Sequence, residues 1–188
     1  MGARVGRIAA QIHHRQKRTH SGRDHLRRPR RAGLMRYWDT SVLLKLFVKE
    51  DDSGLFAALI EEPGEVIHTS ELSRLELLRG LWGKRLDGLI VPGAEKILMR
   101  RFETEVEMKR IILVPIGNDV RREFEAVLTL CYNRERPIRV RTLDALHLAS
   151  ALAARAREII CTDARMREAA SALQLDIHPR KSGRDSCD

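Results

Sequence analysis

Short apolar runs alternate with amphipathic segments between residues 35 and 179, and this alternation predicts an α/β fold. The predicted strands cover 35–38, 66–69, 111–115, 158–161 and 176–178. The predicted helices cover 40–49, 53–61, a segment capped by Ser70 that ends near 85, 93–108, 118–133, 142–155 and 163–173. Apolar strands that alternate with helices are typical of a mainly parallel central sheet with helices on both faces. The functional site of such a sheet lies at the carboxyl ends of the strands, where strand order reverses.

Two aspartates stand directly after predicted strands. Asp39 follows the first strand in RYWDTSVLLKLF, and Asp163 follows the fourth in IICTDARM. Both therefore reach the carboxyl edge of the sheet. The alternative interpretation is that each is a helix N-cap, the commonest role of an aspartate between a strand and a helix. Asp144, in TLDALHLASAL, lies in the first helical turn behind a cap at Thr142, where the helix dipole alone already favours an acid.

Glu76 is a less ordinary acid, because it lies on a helical stripe of small residues. In TSELSRLELLRGLWG it shares that stripe with Ser73, Gly80 and Gly83, and leucines surround it. An ionised carboxylate in such surroundings is costly unless a cation pairs with it. Glu71, in contrast, is expected in the first helical turn, where the helix dipole explains it.

Four carboxylates directed at one edge of a sheet repel one another, and a divalent cation relieves that repulsion. Mg²⁺ or Mn²⁺ prefers oxygen ligands and retains several waters, so carboxylates suit it better than His or Cys. The reaction that best matches such a site is phosphodiester hydrolysis, in which metal ions activate water and neutralise the charge that develops on phosphate.

Four segments, in their order and spacing, resemble the motifs of PIN-domain ribonucleases, and specifically of the VapC toxins of bacterial toxin–antitoxin systems. The segments are MRYWDTSVLLKLF, SELSRLELLRGL, TLDALHLASAL and IICTDARMREAA, and the resemblance spans about residues 35–179. It implies a PIN-like fold in which Mg²⁺ or Mn²⁺ is bound by an acidic quartet, Asp39, Glu76, Asp144 and Asp163. It also implies a tRNA or rRNA substrate, a VapB-like antitoxin protein and a homodimer.

Polar residues beside the acidic quartet have two interpretations each. Thr40 and Ser41 either orient the neighbouring aspartate or a metal-bound water, or merely occupy the first helical turn. Thr162 has the same two interpretations. His147, three residues after Asp144 on the same helix face, either contacts the substrate or is a core or hydrogen-bonded histidine, and we favour the second interpretation.

Basic residues flank the acidic quartet in the sequence. The candidates for RNA phosphate contacts are Arg74, Arg79, Arg139 and Arg141. The alternative for each is a solvated surface. Aromatic residues make up only 4% of the chain, which argues against a stacking platform for single-stranded RNA.

The net charge of +9 comes from one end of the chain. Residues 1–34 hold ten Arg or Lys and one acid, which leaves 25 bases and 25 acids in residues 35–188. Residues 1–34 have no apolar period, so we expect a disordered basic extension that is dispensable, or that results from a start codon placed upstream of Met35. The folded domain is expected to span 35–179, followed by a flexible tail over 180–188.

Cysteine content and apolar run length bear on location. Three cysteines without a CxxC pair favour reduced thiols in a cytoplasm. The longest strictly apolar stretches, such as 111–116, fall far short of the roughly 20 residues that a bilayer span needs, so no membrane helix is predicted.

Apolar residues cover more of the helix surface between 43 and 60, and again between 81 and 90, than one core face requires. A deep core explains this pattern, whereas the resemblance implies a homodimer interface and a groove for the antitoxin.

Other functions with the same fold class compete with the nuclease. A haloacid dehalogenase-type phosphatase needs a second Asp two residues after the first, and Ser41 occupies that position. A receiver domain needs an Asp directly after the third strand, where ILVPIGND has none. A catalytically inactive PIN fold that only binds RNA or protein remains the alternative, although the presence of all four acids favours an enzyme.

Overall fold

A computed structural model describes residues 35–62 and 65–180 of the chain. The described residues form five short strands and seven helices, which follow the predicted alternation of apolar runs and amphipathic segments. The strands are β1 (Arg36–Trp38), β2 (Ile67–Ser70), β3 (Ile111–Val114), β4 (Glu158–Ile160) and β5 (Asp176–His178). The helices are α1 (Thr40–Phe47), α2 (Ser53–Ile60), α3 (Ser73–Leu86), α4 (Ala94–Glu107), α5 (Asn118–Tyr132), α6 (Thr142–Ala153) and α7 (Ala164–Ala172). The predicted α/β class is confirmed.

All five strands pair in parallel, in the order β3-β2-β1-β4-β5. The first strand is central: Tyr37 stands opposite His68 of β2 on one side and Ile159 of β4 on the other. The chain builds outward from β1 first to one side and then to the other. The carboxyl ends of β1 and β4 therefore flank the point where strand order reverses, which is where such sheets hold their sites.

Alternate residues of the central strands point into two separate cores. Tyr37 and Ile159 pack against α5, α6 and α7 on one face of the sheet. Trp38 and Ile160 pack against α1, α2, α3 and α4 on the other face. Because successive strand side chains point to opposite faces, this covering of both faces explains why β1 and β4 each carry two adjacent apolar residues, Tyr37–Trp38 and Ile159–Ile160, instead of alternating with polar ones.

Two predicted helix caps are wrong. Ser70 ends β2 instead of capping the following helix, and α3 begins at Ser73, after a turn in which the Ser70 hydroxyl accepts from the Leu72 N–H at 3.3 Å. Glu71 lies in that turn and accepts from the backbone N–H of Ile116, at 3.0 Å, outside the helix. Thr142 is the first helical residue of α6, and the N-cap position before it belongs to Arg141.

The predictions about the two ends of the chain fall on residues 1–34 and 181–188, which lie outside the described residues. Within the described part of the chain, no helix combines the length and the apolar character needed to cross a membrane. The limits of the functional domain stay a prediction.

Candidate active site

Asp39 and Asp163 act as helix N-caps and also lie at the switch point of the sheet. Asp39 accepts from the Ser41 N–H at 3.2 Å and from the Ser41 hydroxyl, both through Oδ2. Asp163 accepts from the Met166 N–H at 2.9 Å through Oδ1. In each aspartate the second carboxylate oxygen has no hydrogen bond within the described residues. The two sequence interpretations, cap and site residue, are therefore compatible.

Asp144 faces these two aspartates from the first turn of α6. Burial, followed by the negative charges of Asp163 and Asp39, raises the pKa of its carboxyl, and the nearby Arg141 opposes the rise. Its Oδ2 is buried and has no hydrogen-bond partner. A buried carboxylate oxygen without a donor is unusual, because burial without a partner costs free energy.

Glu76 reaches the same edge of the sheet from α3 and is held by two contacts. The Thr40 hydroxyl donates to Oε2 at 2.6 Å, and Nε2 of His147 lies 2.6 Å from the same oxygen. Burial alone raises the pKa of Glu76, but the hydrogen bond and charge of His147, the Thr40 hydroxyl and the charge of Arg79 bring it below its ordinary value. His147 and Thr40 are thus the partners that offset the cost of burying this glutamate.

His147 is buried and occupies the centre of the site. Its Nδ1 lies 2.7 Å from the Tyr37 hydroxyl, and its Nε2 lies 4.0 Å from Asp39 Oδ1. Burial disfavours the charged ring, yet the hydrogen bond to Glu76 and the charges of Asp39, Glu76 and Asp144 raise the pKa of His147. The interpretation of His147 as a hydrogen-bonded histidine is confirmed.

Buried hydroxyls connect Glu76 to the sheet. Thr40 Oγ1 lies 2.8 Å from Ser73 Oγ, which lies 2.6 Å from Thr69 Oγ1, and Thr69 donates to the Trp38 carbonyl at 2.7 Å. Sequence reasoning placed Ser73 on the Glu76 stripe but missed Thr69 and the Tyr37 hydroxyl. A polar residue within an apolar run is the signal for Thr69. No local signal marks Tyr37, because a tyrosine in a buried strand is commonly a core residue.

The remaining predicted residues lie around this centre. Arg79 and Arg141 are exposed and close enough for their charges to lower the pKa of Glu76 and to oppose the rise in the pKa of Asp144, respectively. Arg74 is exposed and pairs with Glu103 of α4 at 3.0 Å. Arg139 is exposed in the loop before α6. Thr162 is exposed, and its side chain makes no hydrogen bond within residues 35–62 and 65–180.

The donor chemistry of the acidic quartet fits a hard divalent cation. As the side chains lie, no three His, Cys, Asp or Glu of the described part of the chain form a group arranged to hold a metal ion. The quartet nevertheless offers only oxygen ligands, and a cation beside the buried Asp144 Oδ2 would give that atom its missing partner. It would also offset the repulsion that Asp39 and Asp163 exert on Asp144.

A parallel sheet with carboxylates at its switch point is compatible with metal-assisted hydrolysis. Comparison with known families is more specific: the PIN domain matches residues 36–172, and the chain belongs to the PIN domain family. PIN domains are typically metal-dependent nucleases and generally bind divalent ions such as Mg²⁺, so membership of the family supports a nuclease activity. No match was found among curated proteins.

Proposed function

We propose that the protein is a Mg²⁺- or Mn²⁺-dependent endoribonuclease that acts as the toxin of a toxin–antitoxin pair. The observation that carries the proposal is the environment of Asp144, a half-buried carboxylate whose pKa is raised by burial and by two neighbouring aspartates and whose Oδ2 is buried without a partner. A protein that only binds RNA has no need for this unfavourable arrangement, since arginines suffice for phosphate contacts. A nuclease needs it to hold a metal.

The acidic quartet would hold the cation, which supplies an activated water and neutralises charge on the phosphate. The chain itself contributes the orientation of the ligands. Asp39 and Asp163 are fixed by the N-termini of α1 and α7, and Glu76 is fixed by Thr40 and His147. Arg79 and Arg141 stand beside the quartet to bind phosphates next to the cleaved bond, and Arg74 and Arg139 extend the basic surface. Thr162 stays a candidate for orienting water beside Asp163.

Cleavage of RNA by the purified full chain tests this proposal. We expect tRNA or rRNA to be cut with Mg²⁺ or Mn²⁺ and to remain intact with EDTA. Asp144→Asn and Asp39→Asn should each abolish cleavage, because each removes a charged ligand at little cost in volume. Asp51→Asn is the matched control, since Asp51 is exposed between α1 and α2, and it should cut normally.

Two results would contradict the enzyme. One is cleavage at a near-normal, metal-dependent rate by Asp144→Asn. The other is RNA binding by the wild-type chain without cleavage under any metal condition, which would establish the catalytically inactive binding module instead.

The antitoxin belongs to the same proposal, and an exposed apolar surface supports it. Here the α3 stripe denotes four side chains of one helix face that are exposed to solvent, Leu75, Leu78, Trp82 and Leu86. They are spaced by three, four and four residues, so they form one continuous row, and Leu86 is 83% exposed. Apolar rows of this kind mark protein interaction sites.

The charges beside the α3 stripe indicate what binds it. Arg74, Arg79 and Arg85 border the row, and two of them already pair with glutamates of α4. A second copy of α3 would place arginines against arginines, which is unfavourable. We therefore assign the α3 stripe to an amphipathic antitoxin helix with acidic side chains beside its apolar face.

The homodimer is assigned to a different surface. The hairpin tip, defined as Leu89 and Val91 between α3 and α4 together with Ile97 in the first turn of α4, is also exposed and apolar. Exposed charges of both signs, Asp87 and Lys96, accompany it, so that a two-fold contact pairs opposite charges. The residues between 43 and 60 mainly form the core, as the deep-core interpretation predicted.

The two surfaces are separable by experiment. Trp82→Glu should abolish binding of the protein encoded by the neighbouring gene and leave the dimer intact. Val91→Asp should dissociate the dimer in analytical ultracentrifugation and leave antitoxin binding intact. A chain that is monomeric at micromolar concentration and that no neighbouring gene product inhibits would contradict both assignments.

A cytoplasmic location fits the buried, free thiols of Cys131 and Cys161.

A further inference from the structure

The two carboxylate oxygens of Glu76 have different surroundings. Oε2 receives the Thr40 hydroxyl and the His147 ring, each at 2.6 Å. Oε1 makes no hydrogen bond within residues 35–62 and 65–180. One oxygen is therefore anchored, and the other is left to contact whatever occupies the site. The position of Oε1 is then defined only if the groups that hold Oε2, Thr40 and His147, are themselves fixed.

The His147 ring is fixed from both sides. A carboxylate without a proton only accepts hydrogen bonds, so Nε2 carries the proton that bonds Glu76, whether the ring is neutral or charged. Nδ1 faces the Tyr37 hydroxyl at 2.7 Å, and the two rings meet edge to face with their centres 5.9 Å apart. Turning the ring over would replace both nitrogens by carbons and lose both hydrogen bonds.

Tyr37 ties this arrangement to the rigid centre of the sheet. It is the middle residue of β1 and has no solvent exposure. A phenol hydroxyl both donates and accepts hydrogen bonds. The hydroxyl can then donate to Nδ1 of a neutral His147 or accept from a charged one. Its position is set by strand pairing with β2 and β4.

We infer that His147 is a positioning residue, which Tyr37 locks in place so that its Nε2–H holds Oε2 of Glu76 and presents Oε1 to the metal. The inference rests on the proposed function, because it takes Glu76 to be a ligand. Groups that hydrogen-bond a metal ligand typically change metal affinity about 10- to 100-fold when removed. The geometry assigns this role to two residues that are separated from Glu76 by tens of positions in the chain.

The test compares variants of the full chain by their Mn²⁺ affinity, measured by electron paramagnetic resonance without RNA. Tyr37→Phe removes only the hydroxyl, and we expect it to weaken Mn²⁺ binding several-fold. His147→Ala should weaken it about 10-fold or more. His147→Gln keeps an N–H donor at a comparable reach and should recover part of the loss. Tyr132→Phe is the matched control: it removes the only other tyrosine hydroxyl, which bonds the Val140 carbonyl at 3.1 Å, and should leave Mn²⁺ affinity unchanged.

A second readout needs neither metal nor RNA. Long-range ¹H–¹⁵N spectra of the wild-type His147 ring should show a proton on Nε2, and Tyr37→Phe should shift the Nδ1 resonance while Tyr132→Phe does not. This readout also covers the case in which His147→Ala fails to fold.

The outcomes separate the inference from the function on which it rests. Wild-type Mn²⁺ affinity in Tyr37→Phe and His147→Ala, or an Nε2 without a proton, would overturn the positioning role even if the protein cuts RNA. If the wild-type chain binds Mn²⁺ but cuts no RNA, the nuclease proposal fails, while a selective loss of Mn²⁺ affinity in Tyr37→Phe still supports positioning. A lowered melting temperature with unchanged Mn²⁺ affinity would show that the contacts are merely structural.

Discussion

At the scale of single residues, Asp144 is an unfavourably placed carboxylate in the absence of a metal. Its carboxyl is half-buried, its Oδ2 is buried without a partner, and Asp163 and Asp39 act on it with like charge. The folded protein therefore carries a repulsion at its site that the unfolded chain does not. Strain of this kind is typical of functional sites, where binding of a ligand offsets it.

We expect Asp144→Asn to raise the melting temperature of the metal-free protein by about 2–4 °C, which is roughly 1 kcal/mol for a domain of this size. The reason is that the amide removes a charge from the repulsive group and offers a donor to the neighbouring carboxylates. Differential scanning calorimetry in EDTA measures the change. Added Mn²⁺ should stabilise the wild type and leave the variant nearly unaffected, and an equal response of both would argue against the metal site.

Arg36 balances a second group of charges at the amino end of the sheet. Its guanidinium contacts Glu158 at 2.7 Å, Glu62 at 2.6 Å and Glu65 at 3.2 Å. The side chains of Glu158 and Glu65 are less than one tenth exposed. Removing the cation from such a group is costly, because the buried negative charges remain.

Arg36→Ala should therefore lower the free energy of unfolding by about 3 kcal/mol. Arg122→Ala removes an exposed partner of Asp119 on α5 and should change it by less than about 0.5 kcal/mol. Urea denaturation of both variants measures the difference. Similar effects of the two substitutions would show that burial does not control the strength of these ion pairs.

At the scale of elements, the contact between α3 and α1 depends on a glycine. A Cβ built on Gly80 would lie 3.0 Å from Cδ2 of Leu44, whereas one built on Gly83 would meet nothing within 4 Å. Both glycines lie inside α3, where glycine costs about 1 kcal/mol relative to alanine. The close approach of the two helices also keeps Glu76 near Thr40.

Gly83→Ala should raise the free energy of unfolding by about 0.5–1 kcal/mol through helix propensity alone. Gly80→Ala should gain clearly less, because the new methyl group has to displace the Leu44 side chain. Urea denaturation of the two variants is the measurement. Equal gains would mean that the α1–α3 contact tolerates a methyl group and that Gly80 is not required there.

The ends of three helices could not be predicted from their sequences. Lys109, Arg155 and Gln174 adopt the left-handed conformation just after α4, α6 and α7, with φ between 55° and 61°. After each, a backbone N–H bonds back to a carbonyl of the last turn, as from Ala156 to Ala151 at 2.9 Å. Glycine is the usual signal for this ending, so the prediction extended α6 to 155 rather than 153.

At the scale of the whole molecule, the described sheet begins its backbone pairing at Met35. The Met35 carbonyl accepts from the Arg157 N–H at 3.0 Å, and β1 follows directly. The charge of residues 35–188 is balanced, while residues 1–34 carry the net +9. The acidic quartet, Tyr37, His147 and the strands all lie at or after residue 35 in the sequence.

A protein that spans Met35–Asp188 should therefore match the full chain in melting temperature and in cleavage sites. Its affinity for RNA should be equal or weaker, with a smaller dependence on salt. The reason is that a chain without these ten basic residues displaces fewer counterions from RNA when it binds. Calorimetry, sequencing of cleavage products and RNA titrations at two salt concentrations make the comparison. Loss of folding or of site choice would show that residues 1–34 belong to the working domain.

The local pattern of the sequence determined the class of fold and two positions of the site. The spacing of apolar and polar residues and the order of segments can be read from the sequence directly. They were enough to predict the five strands and the helices between them. They also placed Asp39 and Asp163 at the ends of strands. Helix ends were less predictable: α3 begins at Ser73 because Ser70 is drawn into pairing with Val114 of β3, a contact with a distant segment.

Tertiary structure alone decided how the site is held together. Glu76 lies on a helix of one face of the sheet and His147 on a helix of the other, and they meet only because both helices reach the same edge. Tyr37 reads as an ordinary core residue in the sequence, yet folding places its hydroxyl on a histidine 110 positions away. Such contacts depend on strand order and helix packing, which no local pattern encodes. The carboxylates that they position could be recognised in the sequence, because the neighbouring residues of each one were enough to single it out.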